Sequence, residues 1–240
     1  MKRLCSVCAR GGSKGVPNKN IRPLMGKPLL IHSLDQARES GLFDCIVVSS
    51  DSNEILQLTE EWGVDHAIER PEELATDSAP KLPVIQQCFL TAETLSGMTF
   101  DIAVDLDATS PLRNQDDLKG VLELLESSKQ ISNVITGTPA RRSPYFNLVE
   151  LDESGRVNLS GKRQNIDGTI VRRQDAPPCF DMNASIYVWW RDSLLNASRV
   201  LQQNTRLYVM PEERSVDIDS ELDFQWVAFL MNEQHKNTQC

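Results

Sequence analysis

The stretch Lys2-Arg-Leu-Cys-Ser-Val-Cys8, continued by Ala9-Arg-Gly-Gly-Ser-Lys-Gly-Val-Pro-Asn-Lys19, decides how this chain is read. The first part is a short apolar run, the pattern of a buried strand. The second is a glycine-rich, cationic turn leaving the carboxyl end of that strand. In an open α/β sheet, ligands bind in the crevice outside the carboxyl ends of the strands. Gly11, Gly12 and Gly15 allow backbone N–H groups to approach phosphate oxygens closely. Arg10, Lys14 and Lys19 add charge. The turn is not a Walker A loop, because no Gly-Lys-Ser/Thr follows the glycines, and it lacks the G-x-G-x-x-G of a dinucleotide fold. It reads as a phosphate-binding loop made by Ala9, Arg10, Gly11, Gly12, Ser13, Lys14 and Lys19; the plainer alternative is a tight turn.

Outward from this loop, strand and helix signals alternate. Pro28–Ser40 has a proline near its start, an apolar stripe of Leu29, Leu30, Leu34 and Ala37, and Gly41 as terminator, and so predicts a helix. Strands are expected at 44–50, 65–68, 101–106 and 133–137, and helices at 52–62, 82–95 and 116–127. This rhythm implies a three-layer, doubly wound and mostly parallel sheet of the α/β class, with helices on both faces. It breaks after Thr138. A hairpin is expected at 146–159 around Asp152-Glu-Ser-Gly155, then a polar stretch. The rhythm resumes with a strand at 184–190, a helix at 192–202, a strand at 207–210 and a helix at 220–232. The expectation is a single domain over 1–240 with a projecting insertion at 139–182, since loops that long in a compact domain are usually functional or make an interface.

The formal charge of −9 argues against non-specific nucleic-acid binding, which needs a basic surface. Yet Met1–Leu34 holds seven basic residues and no Asp or Glu, a block suited to an anionic ligand. Nothing near the start resembles a signal peptide, and no window approaches the ~20 apolar residues of a membrane helix. The expectation is a cytoplasmic protein without a membrane partner. Cys5 and Cys8 lie three apart on a strand, hence on opposite faces. No second Cys-x-x-Cys accompanies them, and they read as core residues rather than metal ligands.

Two acidic pairs stand out. In Asp217-Ile-Asp219 the carboxylates are two apart and would converge in an extended segment. Like charges that close call for a proton or a cation between them, and Mg2+ takes one or two carboxylates together with phosphate oxygens; the alternative is that both simply solvate a helix start. Ser220 with Asp223 reads as a helix cap. Asp105 and Asp107 form a second same-face pair at the end of a central strand. Such pairs also occur in metal-dependent sugar-nucleotide glycosyltransferases.

With these residues in view, the chain resembles the CMP-nonulosonic acid synthetases, the acylneuraminate cytidylyltransferase family. The resemblance rests on Ala9-Arg-Gly-Gly-Ser-Lys-Gly-x-Pro-x-Lys-Asn20, Arg70-Pro-x-x-Leu-Ala75, Thr109-Ser-Pro-Leu-Arg113, Asn183-Ala-Ser-Ile-Tyr187 and Asp217-Ile-Asp-Ser-Glu-Leu-Asp223. It implies a nucleotidyltransferase-like fold in which CTP is the donor and a nine-carbon 2-keto acid sugar the acceptor. It further implies that Arg10, Lys14 and Lys19 hold the triphosphate, Arg70 and Ala79 sit beside cytosine, and Asp217 and Asp219 hold Mg2+. Asp107, Asn183 and Tyr187 would line the sugar pocket, with Arg173 and Gln174 reaching into it from the insertion of a partner subunit in a homodimer. Catalysis would rest on Arg10, Lys14, Lys19 and Asp217; no general base stands out.

Two positions depart from the family pattern. Asp107 replaces a neutral glutamine that in the family contacts the sugar, and Lys81 stands where a serine near the base is common. With Lys81-Leu-Pro-Val-Ile85 and Arg172-Arg-Gln-Asp-Ala-Pro177, they resemble the legionaminic acid branch more than the N-acetylneuraminate branch. The competing readings are a metal-dependent glycosyltransferase, a non-catalytic nucleotide-binding subunit, and a cytidylyltransferase acting on an eight-carbon ulosonic acid.

Overall fold

The computed structural model describes residues 1–12, 15–76, 79–160 and 172–238. In chain order, the first half contains β1 (Arg3–Cys8), β2 (Pro23–Leu24), β3 (Lys27–Pro28), α1 (Leu29–Ser40), β4 (Cys45–Ser50), α2 (Asn53–Trp62), β5 (His66–Glu69), α3 (Lys81–Ser96), β6 (Ile102–Leu106) and α4 (Gln115–Glu126). It continues with β7 (Asn133–Pro139), β8 (Val149–Leu151), β9 (Val157–Leu159), β10 (Phe180–Trp190), α5 (Arg191–Leu195), β11 (Thr205–Val209) and α6 (Glu221–Thr238).

The main sheet has the order β11-β7-β10-β6-β1-β4-β5. Its pairs are parallel except those of β10, which runs antiparallel to both β6 and β7. The expected mostly parallel, doubly wound sheet is therefore present. β4 is buried at every position, as a strand covered on both faces must be. Along β1 the side chains alternate. Cys5 and Val7 pack with Leu30, Leu34, Ile55 and Leu118 on one face, while Leu4 packs with Leu82, Ile85, Cys88 and Phe89 on the other. Cys8 joins this second face, so Cys5 and Cys8 do point apart.

The helices end where local chemistry dictates. α1 stops at Gly41, whose φ of 62° is the left-handed region that favours glycine. α4 begins with a reciprocal capping box, in which Asn114 and Asp117 each accept from the other's backbone N–H. The helix expected at 192–202 is a correction: α5 ends at Leu195. There Gln86 Nε2 donates to the carbonyls of Leu194 and Ala197 at 2.8 and 3.0 Å, occupying acceptors that a continuing helix would use. The strand expected to start at Ala184 instead begins at Phe180 and passes through an irregularity between Met182 and Tyr187, where Ala184 has a φ of 53°.

β8 and β9 form the expected hairpin, a two-stranded sheet separate from the main one. Asp152 Oδ1 accepts from the N–H groups of Ser154 and Arg156, closing the turn. A third apolar cluster lies at the carboxyl end of the sheet. Val16 from the first loop, Leu24, Leu29, Leu112, Ile218, Phe224 and Val227 are all buried in it. This cluster places the two ends of the chain side by side.

Candidate active site

A cavity of about 280 Å3 opens at the carboxyl ends of β1, β5 and β6. Arg10 and Lys19 reach it from the loop after β1, Arg70 from the end of β5, Ala79 and Lys81 from the start of α3, and Asp107 and Thr109 from the loop after β6. Positive charge thus converges where the topology of an open sheet puts a ligand.

The first loop is held by backbone contacts. The buried Ala9 donates its N–H to the Ser49 carbonyl at 3.0 Å, and Gly11 N–H donates to Asp51 Oδ1 at 2.9 Å. A Cβ on Gly15 would lie 2.0 Å from the carbonyl oxygen of Asp219, so only glycine fits where the loop meets the far end of the chain. Lys19 crosses the same junction: its ammonium donates to the Ile218 carbonyl and lies 3.3 Å from Asp219 Oδ1. Asn20 Nδ2 donates to the Arg10 carbonyl at 2.8 Å. Among the described residues nothing apart from its chain neighbours lies within 4 Å of where a Cβ on Gly12 would sit. Ser13 and Lys14 lie outside the described residues.

The segment carrying Asp217 and Asp219 is anchored by Ile218, which is buried in the third cluster and donates its N–H to the Thr109 carbonyl at 3.0 Å. Asp217 turns inward and accepts from the Thr109 hydroxyl. Asp219 is exposed and faces Lys19. Burial pushes the Asp217 carboxyl up, with the charges of Asp107 and Asp219 adding and Thr109 and Lys19 opposing. The site is short of positive charge there, and its oxygen donors suit a hard divalent cation. Among the described residues no group of three or more His, Cys, Asp or Glu is placed to hold a metal ion. A cation at Asp217 and Asp219 would complete its shell from phosphate oxygens and water. The cap read at Ser220 and Asp223 is present: Asp223 Oδ2 accepts from Ser220 N–H at 2.8 Å and from its hydroxyl at 2.7 Å.

Asp105 and Asp107 do share one face, and the cation between them is Lys81. Its ammonium donates to Asp107 Oδ2 at 2.7 Å, lies 3.3 Å from Asp105 Oδ2, and sits 4.6 Å from the centre of the Tyr187 ring. Burial opposes charge on Asp107, but Lys81 and both Thr109 donors outweigh it and hold the carboxyl well below its usual range. Burial likewise disfavours the Lys81 ammonium, and the two aspartates reverse this and raise it. Asp105, fully buried, is pushed up by desolvation against the pull of Lys81 and of Ser6, whose hydroxyl donates to Oδ1 at 2.8 Å.

A family model described as Cytidylyltransferase matches residues 4–179. The chain belongs to the cytidylyltransferase family. Among its relatives, "Post-translational flagellin modification protein B" of Campylobacter coli is 44% identical, over 97% of this chain and 96% of its own. "CMP-N,N'-diacetyllegionaminic acid synthase" of Campylobacter jejuni is also 44% identical, over 95% of this chain and 94% of its own. A solved structure of CMP:2-keto-3-deoxy-manno-octonic acid synthetase complexed with CTP shares the fold, with a TM-score of 0.71 at 16% identity, covering 98% of this chain and all of that one.

In this cytidylyltransferase several expected residues lie beside the cavity rather than on its lining. Tyr187 is buried, stacked 5.6 Å from Trp189, and reaches the site through Lys81. Asn183 is 6% exposed and its amide is engaged: Oδ1 accepts from Thr136 Oγ1 at 2.6 Å and Nδ2 donates to Ser215 Oγ at 3.1 Å. Arg173 and Gln174 fall in a single 3-10 turn, Arg173–Asp175, on which Gln174 is exposed. Two residues quoted within a motif but given no role turn out to organise the site. Thr109 Oγ1 lies within hydrogen-bond reach of both Asp107 and Asp217, so the two carboxylates compete for its single proton. Arg113, 2% exposed, donates to the carbonyls of Asp107 and Ser110 and to Ser33 Oγ, which clamps the loop carrying Asp107. Burial pushes Arg113 down to about 10, leaving it charged at neutral pH.

Proposed function

We propose that this cytidylyltransferase transfers the CMP group of CTP to the anomeric hydroxyl of a nine-carbon 2-keto acid sugar, of the legionaminic or sialic type, and releases pyrophosphate. The observation that supports the reading is the junction of the first loop with the Asp217–Asp219 segment, which sets an acidic pair beside a cavity lined by Arg10, Lys19 and Thr109, in contact with it through Lys19 and Thr109. The near full-length similarity to a CMP-N,N'-diacetyllegionaminic acid synthase favours the legionaminic type.

In the reaction, the anomeric oxygen bonds to the α-phosphorus, and the bond from that phosphorus to the bridging oxygen of the β-phosphate breaks. Pyrophosphate leaves with the electron pair, and the hydroxyl proton is lost to base. Such transfers are mostly positioning and charge neutralisation. Arg10 and Lys19, with Lys14 beyond the described residues, would hold the triphosphate and neutralise the departing pyrophosphate. Arg70 and Ala79 would flank the cytosine. Asp217 and Asp219 would hold Mg2+, which when bound supplies positive charge at the phosphates. Asp107, Asn183 and Tyr187 would shape the acceptor side.

The expected assay result is pyrophosphate release from CTP that needs both Mg2+ and a nonulosonic acid and stops when the metal is chelated. Silence with sialic, legionaminic and pseudaminic acids alike would overturn the reading. Release of a nucleoside diphosphate from a sugar nucleotide would favour a glycosyltransferase instead.

The proposal extends to a homodimer with the insertion as its interface and Arg173 and Gln174 at the partner's site. Supporting it, the hairpin exposes Leu148, Val149, Leu151 and Val157, and the start of β10 exposes Phe180 and Met182. Light scattering is expected to give twice the chain mass, and Leu151→Glu with Val157→Glu to halve it. A monomeric wild type would remove this part of the proposal.

A further inference from the structure

Lys81 and Asp107, the two departures from the family pattern, touch one another. Each is unusual only in isolation. A carboxylate facing a neutral acceptor, or a lone ammonium half-buried beside a tyrosine ring, would be costly. Together they form an ion pair with 30% and 25% side-chain exposure, backed by the fully buried Asp105.

The charge balance says what such a lysine can recognise. One ammonium stands between two carboxylates, so the group offers no net positive charge to a phosphate. It offers direction instead. The ammonium has three N–H donors, and among the described residues Asp107 takes one in an aligned bond while Asp105 stabilises the charge from 3.3 Å. Among the described residues Asp105 Oδ2 makes no aligned hydrogen bond, so this second contact is attraction between charges rather than a committed donor. The ammonium is held by three neighbours, Asp105, Asp107 and the Tyr187 ring, and so loses little freedom on meeting a ligand. Asp107 Oδ1 is occupied by the N–H and hydroxyl of Thr109, at 3.1 and 2.7 Å. The carboxylate is thus turned inward and the free donor belongs to Lys81. Thr109 also reaches Asp217, so Lys81 is linked through Asp107 and Thr109 to the proposed metal site.

We propose that Lys81 selects the acceptor, by donating to a neutral oxygen of the acid sugar such as an N-acyl carbonyl, and that Asp107 is the positioning residue that aims it. The inference rests on the proposed cytidylyltransfer to an acid sugar.

The test uses steady-state kinetics of the full chain with CTP and two acceptors, one bearing two N-acyl groups and one bearing a single N-acyl group. The variants are Lys81→Met, Asp107→Asn and the double. Removing one partner of a buried, hydrogen-bonded charge pair predicts a fall of about 30-fold or more in acceptor kcat/KM for each single. The CTP KM is expected to stay within about threefold, the scatter expected of a residue that does not touch the nucleotide. The double is expected to lose no more than the worse single, because the two act as one unit, and the ratio between the two acceptors to collapse in all three. Lys81→Met leaves Asp105 without its cation and is liable to misfold; Lys81→Met in an Asp105→Asn background, with CTP binding followed by calorimetry, keeps the test open. Losses that multiply in the double, an unchanged acceptor ratio, or a loss confined to the CTP KM would overturn the inference. A wild type that turns over neither acceptor would defeat the reading of function rather than this one.

Discussion

The two ends of the cavity are built on different principles. At the phosphate end, Lys19 and Asp219 meet in a contact whose acid is exposed, and the geometry is fixed by backbone: Gly15 against the Asp219 carbonyl, and Val16 and Ile218 in one apolar cluster. At the acceptor end, the charges of Asp105, Asp107 and Lys81 are buried or half-buried and satisfy one another, and Arg113 clamps the loop beneath them. In the proposed reading, a triphosphate that brings its own charge is met by cations held in place by the chain, and a sugar that brings mostly neutral oxygens is met by donors aimed through other side chains. The first arrangement tolerates small changes in side-chain pose; the second depends on partners.

The largest expected effect breaks the phosphate end. Arg10→Ala removes one charge stabiliser and is expected to lower turnover by ~10²–10³, read as pyrophosphate release at saturating acceptor. Unchanged turnover would mean that Arg10 lies off the reaction path. Gly15→Ala tests whether backbone fit sets that end. Its Cβ would sit 2.0 Å from the Asp219 carbonyl oxygen, so the loop or the acidic segment must move. A displacement on the order of 1 Å is expected to cost about 10² in rate, and normal kinetics would show that the junction is not needed.

At the proposed acceptor end, Arg113→Met strands the buried Ser110 carbonyl, while the Asp107 carbonyl keeps Ser33 Oγ as its donor. About 1–3 kcal/mol is expected for the unsatisfied group, seen as a Tm lower by several degrees, at roughly 2–4 °C per kcal/mol for a chain this size. The acceptor KM is expected to rise while the CTP KM holds; the opposite split would reassign the loop to the nucleotide. The smallest effect lies outside both ends. Asn114→Ala removes the cap of α4 and is expected to cost ~1 kcal/mol of stability, with kinetics unchanged at temperatures well below Tm.

How much of this was legible in the sequence follows the same division. The sheet was readable because β1, β4 and β6 are short apolar runs between periodic helices; the helix expected beyond Leu195 and the start of β10 at Phe180 were missed. The first miss came from Gln86, a residue 108 positions from Leu194 in sequence, capping carbonyls that no local pattern could assign. The residues proposed for the phosphate end stood out in the sequence because they cluster in two short motifs. The acceptor end was readable only as an anomaly. Asp107 and Lys81 looked like two separate departures, since sequence does not show that α3 starts beside the end of β6. Thr109 and Arg113 were in view within a motif, but their work is to bond carbonyls and carboxylates across loops, which leaves no signature in spacing. Asn183 and Tyr187 are buried in and beside the irregular part of β10, and their link to the cavity runs through neighbours rather than by direct exposure.

The central claim is that one cavity joins CTP to an acid sugar. Phosphorus NMR of a reaction holding the wild-type protein, CTP, Mg2+ and each of the legionaminic, sialic and pseudaminic acids in turn tests it most directly. The account predicts, with at least one of these acids, one new phosphodiester resonance and one pyrophosphate for every CTP consumed, and none when the acid is left out. CTP that stays intact with all three acids, or that yields CDP and phosphate instead, would contradict it.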